Sequence, residues 1–406
     1  MTVLVAGAAC ALTAACLAAC SQAPGMHIGI RTTGTAPPPL TVLTRDTGRA
    51  NGDIFIAPAG GGYPAGPEIL TTTGKVVWFH RLPAGQIATD FRTQTYLGRP
   101  VLTWFQSGGQ GAHEGPGGGA NGPSGTDYIY NDRYQQIATV RAGNGDATDF
   151  HEFLITPQNT ALILADSITT ANLTAIGGPA DQRVIDGLVQ EIDVKTGRVL
   201  FQWDSADHVL YSDSYLPRPS SPNTPWDWFH INAVHLDSDG NLLVDSRNTW
   251  TIFKVARHTG QIMWQLGGRQ STFALRAAPG QALDSAGKIF AWQHDPEAIG
   301  DGTYTIFDDE SGSGLLGSSR VVTVRLDLAN WTATLVKSDD QPEGQVAQIM
   351  GNAQTTTRGD LFVGWGGLPY VSEFGPSGEL LFSAKLPAGV STYRAYLLAW
   401  MPPRGS

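Results

Sequence analysis

The chain has 406 residues, with 26 Lys+Arg against 36 Asp+Glu and a formal net charge of −10. That balance excludes a nucleic-acid binder, which needs a basic face to meet phosphate. Charged residues are only 15% of the chain and hydrophobic ones 41%, which excludes global disorder, and with 49 glycines and 11 tryptophans the composition favours a turn-rich all-β protein.

Residues 1–20 (MTVLVAGAACALTAACLAAC) form an apolar run ending in small residues, as in a secretory signal, although no Lys or Arg precedes the run. The last four, Leu17-Ala18-Ala19-Cys20, resemble a bacterial lipobox, so we expect a signal peptide over 1–20, acylation of Cys20 and an exported chain anchored at the cell envelope by that lipid alone. An N-terminal transmembrane anchor or a buried helix is the alternative. Cys10, Cys16 and Cys20 are the three cysteines, which leaves no disulfide framework and no cysteine-ligated zinc beyond residue 20. Residues 21–49 read as a flexible tether stiffened by Pro37-Pro38-Pro39.

From residue 50 to 401 short apolar runs alternate with Gly, Asp, Asn and Pro, which is strand-and-turn punctuation. One sub-motif places a polar residue before a strand, a tight turn and an apolar strand. It occurs as DFRTQTYLGRPVLTW from Asp90, DFHEFLITPQNTALILAD from Asp149, WFHINAVHLDSDGNLLVDSR from Trp228, WQHDPEAIGDGTYTIFDD from Trp292 and GNAQTTTRGDLFVGWG from Gly351. A second is a hairpin with Gly in its turn and Trp or Phe after it, as in TTTGKVVWF, IDVKTGRVLFQW, RHTGQIMWQL and GPSGELLF. The two alternate, and each pair supplies the four strands of one propeller blade. TYRAYLLAW from Thr392 opens a sixth blade whose second half lies at the N-terminus. The expectation is an all-β, six-bladed β-propeller with the last blade closed by strands from both termini; two β-sandwiches are the alternative.

Aligned on the strand that opens each blade, Arg92, His151, His230, His294, Asn352 and Arg394 occupy equivalent positions, all polar in otherwise apolar strands. Opening strands line the central channel, so these six are expected to form a ring near one end of it. Arg247 lies as far after the turn at Asp237–Gly240 as His230 lies before it, which brings both to the same end of a hairpin, and Asn232 can share the strand face of His230. Such a cationic, donor-rich set suits an oxyanion such as sulfate or phosphate. It lacks the carboxylate cluster that hard cations need. The Gly-rich stretch 108–125 reads as a loop, and the Ser/Pro-rich segment 212–225 as a second one. Tyr211, Tyr215, Trp226 and Trp228 around that segment either face an aromatic substrate or pin the loop.

The runs FHINAVHLDSDGNLLVDSRNTWTIFKV, FAWQHD, GNAQ and STYRAY resemble signature stretches of the bacterial arylsulfotransferases, notably their actinobacterial and fungal branch, and the similarity runs from about Gly52 to Trp400. The resemblance implies a six-bladed propeller that moves a sulfuryl group from a phenolic sulfate donor to a phenol acceptor through a sulfohistidine, with no nucleotide or other cofactor and no metal. By resemblance His294 is the nucleophile, His151, His230 and Arg247 grip the sulfate, and Asn232 is the amide of a His-x-Asn pair; Arg92, Asn352 and Arg394 are candidate substrate-binding residues. Phe307–Glu310 (FDDE) is more acidic than the family pattern, and its carboxylates would weaken an anion site if they faced inward. Two other functions stay open: a metal-dependent propeller lyase or hydrolase with His151, His230 and His294 as ligands, and a non-catalytic envelope scaffold.

Overall fold

The computed structural model describes residues 36–46, 52–107, 125–309 and 317–400. The expected signal peptide, Cys20 and most of the Gly-rich stretch lie outside the described residues. The strands assemble into six sheets arranged as a ring, antiparallel except for one added edge strand, and among the described residues there is no α-helix.

Blade one takes its innermost strand from the C-terminus, Val390–Leu398, and continues outward through Asp53–Gly60, Glu68–Thr71 and Val76–Phe79. Asp53 pairs with Leu398 and Gly60 with Val390, so the two chain ends are stitched together along the whole strand. Blade two runs Ala88–Tyr96, Arg99–Ser107, Gly125–Tyr130 and Gln136–Val140; blade three Ala147–Ile155, Thr160–Ala171, Gln182–Asp193 and Val199–Asp204. Blade four runs Ile231–Leu236, Leu242–Ser246, Thr251–Val255 and Ile262–Gly267. Blade five runs His294–Gly300, Thr303–Asp308, Arg320–Asp327 and Thr332–Asp340, and blade six Asn352–Thr355, Leu361–Gly364, Tyr370–Phe374 and Leu380–Lys385.

Two outer edges carry an extra strand. Ala274–Ala277 adds in parallel to Thr332–Asp340 of blade five. Thr41–Arg45 adds antiparallel to Leu380–Lys385 of blade six. This corrects the boundary of the expected tether: within 21–49, residues 41–45 belong to the propeller. Their pairing covers a sheet edge that would otherwise offer unpaired N–H and C=O groups.

Alternation along each strand gives every sheet two apolar faces, and each face packs on the next blade. Phe55, Ile69 and Trp78 of blade one meet Phe91, Leu102 and Trp104 of blade two. Val101 and Ile129 meet Phe153 and Ile163; Leu162 and Val189 meet Val234 and Phe253; Leu243 and Ile252 meet Ile306 and Val322. Phe307 and Val321 meet Ala353 and Val363, and Phe362 and Val371 of blade six return to Ile54 and Leu70 of blade one. The core is thus distributed between blades and closes on itself.

Near the axis side-chain amides also bridge neighbouring blades. Gln94 donates to Phe153 O at 2.8 Å and accepts from Ile155 N at 2.7 Å, joining blades two and three. Asn352 donates to Ala395 O and accepts from Ala395 N, both at 2.9 Å, joining blades six and one. Gln354 repeats the clamp on Leu397. Gly364 is required beside this clamp: a Cβ there would stand 2.5 Å from Asn352 Oδ1 and 2.7 Å from Ala395 N.

Candidate functional site

His151 and His294 lie on the inner strands of blades three and five, His230 immediately before that of blade four, and the three meet at one level of the channel. The ring centroids of His151 and His230 are 5.1 Å apart, those of His151 and His294 6.4 Å. His151 and His294 are fully buried, while His230 retains 8% exposure and so lies outermost. Phe150 stacks on the His151 ring at 4.0 Å and Tyr393 stands edge-on to it at 5.6 Å, which fixes that imidazole between two aromatic walls.

Each histidine is held through Nδ1 by an aspartate. The distances are 2.7 Å for His151 to Asp149, 2.5 Å for His230 to Asp227 and 2.7 Å for His294 to Asp309. A carboxylate on Nδ1 settles the tautomer of a neutral ring and turns Nε2 toward the channel. Asp309 belongs to the acidic run that the sequence set against an anion site. It does face inward, but onto an imidazole, while Asp308 pairs with Arg320 Nε at 2.9 Å and accepts from Ala291 N. Glu310 lies outside the described residues.

Two further acids stand behind these pairs. Asp166 adjoins both the Asp149–His151 and Asp227–His230 pairs, and burial, then the two aspartate charges, push its carboxyl well above the ordinary range. Asp245, which accepts from Gln293 Nε2 at 2.6 Å, lies near His294 and Asp309 and is pushed up to about 7, chiefly by burial.

Arg247 joins the histidines as the hairpin geometry requires, its backbone N–H donating to His230 O at 3.0 Å. Its guanidinium lies 5.0 Å above the Trp292 ring and donates to Gln348 O at 2.9 Å. Trp292 stands edge-on to Trp250 at 5.3 Å, and Trp250 stacks on Tyr215 at 3.7 Å. Both tryptophans hold positive φ, 57° and 53°, a conformation that a bulky residue adopts only where its surroundings impose it. Of the four aromatics weighed around the Ser/Pro segment, Tyr215 alone joins this gallery. Trp228 donates to Asp186 and packs on Tyr211, and Trp226 donates to Leu216 O, so those three pin the loop.

The expected ring of six equivalent polar residues is not one ring. Arg92 and Arg394 leave the histidines and form a separate charged layer with Asp90, Glu152, His235, Asp295 and Tyr396. Arg394 Nη1 lies 2.8 Å from Glu152, 3.3 Å from Asp90 and 3.4 Å from Asp295. Arg92 pairs with Glu152 and lies 3.1 Å from Asp90. His235 Nε2 is 3.2 Å from Glu152 and 3.3 Å from Asp295. A fully buried guanidinium cannot go without counter-charges, so the two arginines are drawn to the carboxylates. Burial opposes ionisation of Glu152, yet Arg394 and Arg92 hold its carboxyl well below the ordinary range. Burial also opposes charging of His235, but Glu152 and Asp295 raise it to about 10. Glu152, His235 and Asp295 present ligand atoms within 4.8 Å of one another, a metal-like spacing, but the cationic Arg394 stands among them. Asn352 also departs from the expected ring, being the inter-blade clamp, and Asn232, expected on the strand face of His230, donates to Gln293 O at 2.8 Å.

Sequence reasoning missed the three aspartates and the charged layer. Asp-x-His and Asp-x-x-His at 149–151 and 227–230 were visible spacings. His235, five residues after His230, gave no periodic signal.

No curated protein matches the chain. Among solved structures, a protein of unknown function from Bacteroides caccae has a TM-score of 0.49 at 13% identity, covering 85% of this chain and 99% of that one. A catalytically inactive variant of virginiamycin B lyase from Staphylococcus aureus gives 0.41 at 8% identity over 84% and 86%, and apo AztD from Citrobacter koseri 0.37 at 9% over 86% and 98%. The arylsulfotransferase (ASST) family model matches residues 116–386, a span that holds all three histidines, their aspartates and Arg247. A match over more than half its length places the chain in the arylsulfotransferase family, a family of sulfotransferases.

Proposed function

We propose that the chain moves a sulfuryl group from a phenolic sulfate ester to an acceptor phenol through a sulfohistidine on His294, the aryl sulfate itself serving as donor. The observation that carries this reading is the meeting of three imidazoles from three blades, each held at Nδ1. Nδ1–H donation to Asp309 leaves the lone pair of His294 on Nε2, where an in-line attack on sulfur can begin. Sulfuryl transfer resembles phosphoryl transfer in being loose and in-line, governed by position and charge. Arg247, beside His230, is placed to neutralise sulfuryl oxygens, and His230 or His151 to protonate the departing phenolate and deprotonate the incoming phenol. The gallery of Tyr215, Trp250 and Trp292 borders Arg247 and supplies apolar faces for the aryl group.

On the same reading the chain is exported and held at the envelope by a lipid on Cys20, as the Leu-Ala-Ala-Cys sequence suggests. The test of the chemistry is mass spectrometry of enzyme quenched with a chromogenic aryl sulfate and no acceptor. An 80 Da-class sulfuryl adduct on the peptide holding His294 is expected, with loss of at least ~10³-fold in His294→Ala and ~10²–10³-fold in Arg247→Ala. An adduct on another residue, or full turnover by His294→Ala, overturns the assignment.

A further inference from the structure

The three histidine–aspartate bonds are alike in geometry and unlike in origin. Asp149 lies two residues before its histidine in the same strand. Asp227 lies three residues before its histidine, in the loop leading into the strand. Asp309 lies fifteen residues after its histidine, beyond the neighbouring strand. Blades are repeats, so a carboxylate kept merely as part of the repeat would sit at one offset in each. Here three different offsets converge on the same ring atom, and what the three share is the orientation they impose.

We infer that Asp149, Asp227 and Asp309 are positioning residues of the transfer reaction, each presenting Nε2 of its histidine to the substrate, and that this one arrangement serves two protonation states. The inference rests on the sulfuryl-transfer reading. In the first step the Nε2 lone pair of neutral His294 bonds to sulfur, the aryl O–S bond breaks, and the phenolate oxygen takes a proton from Nε2 of a protonated His151 or His230. In the second, that now neutral histidine takes the acceptor phenol's proton, the phenol oxygen bonds to sulfur, and the N–S bond breaks, restoring His294. Asp309 faces a ring that gains positive character only on sulfation, whereas Asp149 or Asp227 faces one that starts charged. The surrounding acids complete the picture. Asp166 adjoins Asp149, Asp227, His151 and His230, and Asp127 adjoins Asp149; burial pushes both carboxyls well above the ordinary range. Asp245 and Asp295 share the surroundings of Asp309 and His294.

The test uses the full chain with Asp309→Asn, Asp149→Asn and Asp227→Asn, and a series of aryl sulfates of graded leaving-group pKa. Asparagine keeps the shape but removes the charge and can turn its NH₂ toward Nδ1, reversing the tautomer. In a serine protease triad the same change costs about 10⁴-fold. For Asp309→Asn the first-turnover release of phenol should fall ~10²–10⁴-fold for every leaving group. Asp149→Asn or Asp227→Asn should slow poor leaving groups ~10²-fold more than activated ones, steepening the leaving-group dependence, and shift the pH–rate profile. Circular dichroism and urea titration establish that each variant is folded. Folded variants with the wild-type burst, leaving-group dependence and pH profile overturn the proposal alone. Loss of fold in all three, with the His→Ala variants folded, also overturns it by assigning the carboxylates a structural role. A wild-type chain that releases no phenol overturns the functional reading and this inference with it.

Discussion

Arg394→Met asks whether the charged layer of the channel holds the fold or grips the substrate. Arg394 is 1% exposed and its Nη1 lies within 3.4 Å of Asp90, Glu152 and Asp295, with Arg92 and His235 completing three cations against three carboxylates. Methionine fills much of the space of the stem and removes the charge, leaving one buried carboxylate uncompensated. Breaking a buried pair from one side costs ~3–5 kcal/mol, a large part of a typical total of ~5–15 kcal/mol. The loss depends on pH. Glu152 and Asp295 are held below the ordinary carboxylate range, so their contribution is complete above that range and fails only in strong acid. His235 is raised from 6.5 to about 10, so its contribution is complete below 6.5 and fades as pH climbs through 10. Burial pushes the Asp90 carboxyl up while Arg92 and Arg394 pull it down, so removing Arg394 eases its protonation. Urea unfolding followed by tryptophan fluorescence should therefore show a large loss at pH 7 that shrinks as the pH is lowered. Arg394→Lys keeps the charge without the fork, should lose less, and supplies a folded protein if the methionine variant does not accumulate. A wild-type urea midpoint for Arg394→Met, together with a raised KM for aryl sulfate, would refute the structural reading and return Arg394 to substrate binding.

Two shorter predictions come from the fold and a third from the N-terminal sequence. Truncation after Gly389 removes Val390–Leu398, the inner strand of blade one, and should abolish the cooperative thermal melt; an unaltered melt would contradict closure by both termini. Gly364→Ala drives a methyl into the Asn352–Ala395 clamp and should lower stability by ~1–3 kcal/mol in urea titration, with kcat preserved. Cys20→Ser should move the protein from the membrane fraction to the soluble one, and unchanged membrane retention would count against the lipid anchor.

The propeller was legible because its signals are local and repeated. Each blade announces itself through a turn such as Asp237–Gly240, closed by a Gly240 N–H to Asp237 O bond of 2.8 Å, and through apolar strands on either side. Closure by TYRAYLLAW was legible as an unmatched half. Thr41–Arg45 was not, since four of its five residues are exposed and it carries no alternation that a buried strand would need.

The site was legible only where one residue carries one role. Histidines at blade openings could be picked out because an imidazole is conspicuous in an apolar strand. Aligning the blade openings by sequence, however, misses the bulges in the inner strands. Arg92 lies beyond the bulge of its strand and pairs with Thr103, as Glu297 pairs with Thr305, whereas His294 lies before the bulge and pairs with Phe307; there the guanidinium groups of Arg92 and Arg394 meet Glu152 and Asp90, because a buried guanidinium needs counter-charges. The imidazoles stay level with one another and take their carboxylates from wherever the chain supplies them. The division of the channel into a neutralised ionic layer and a histidine layer thus follows from where along the inner strand, before or after its bulge, each polar residue stands. With Arg92 and Arg394 occupied by carboxylates, the proposed sulfuryl transfer leaves the anion to Arg247, whose backbone N–H donates to His230 O at 3.0 Å and whose guanidinium lies over the Trp292 ring.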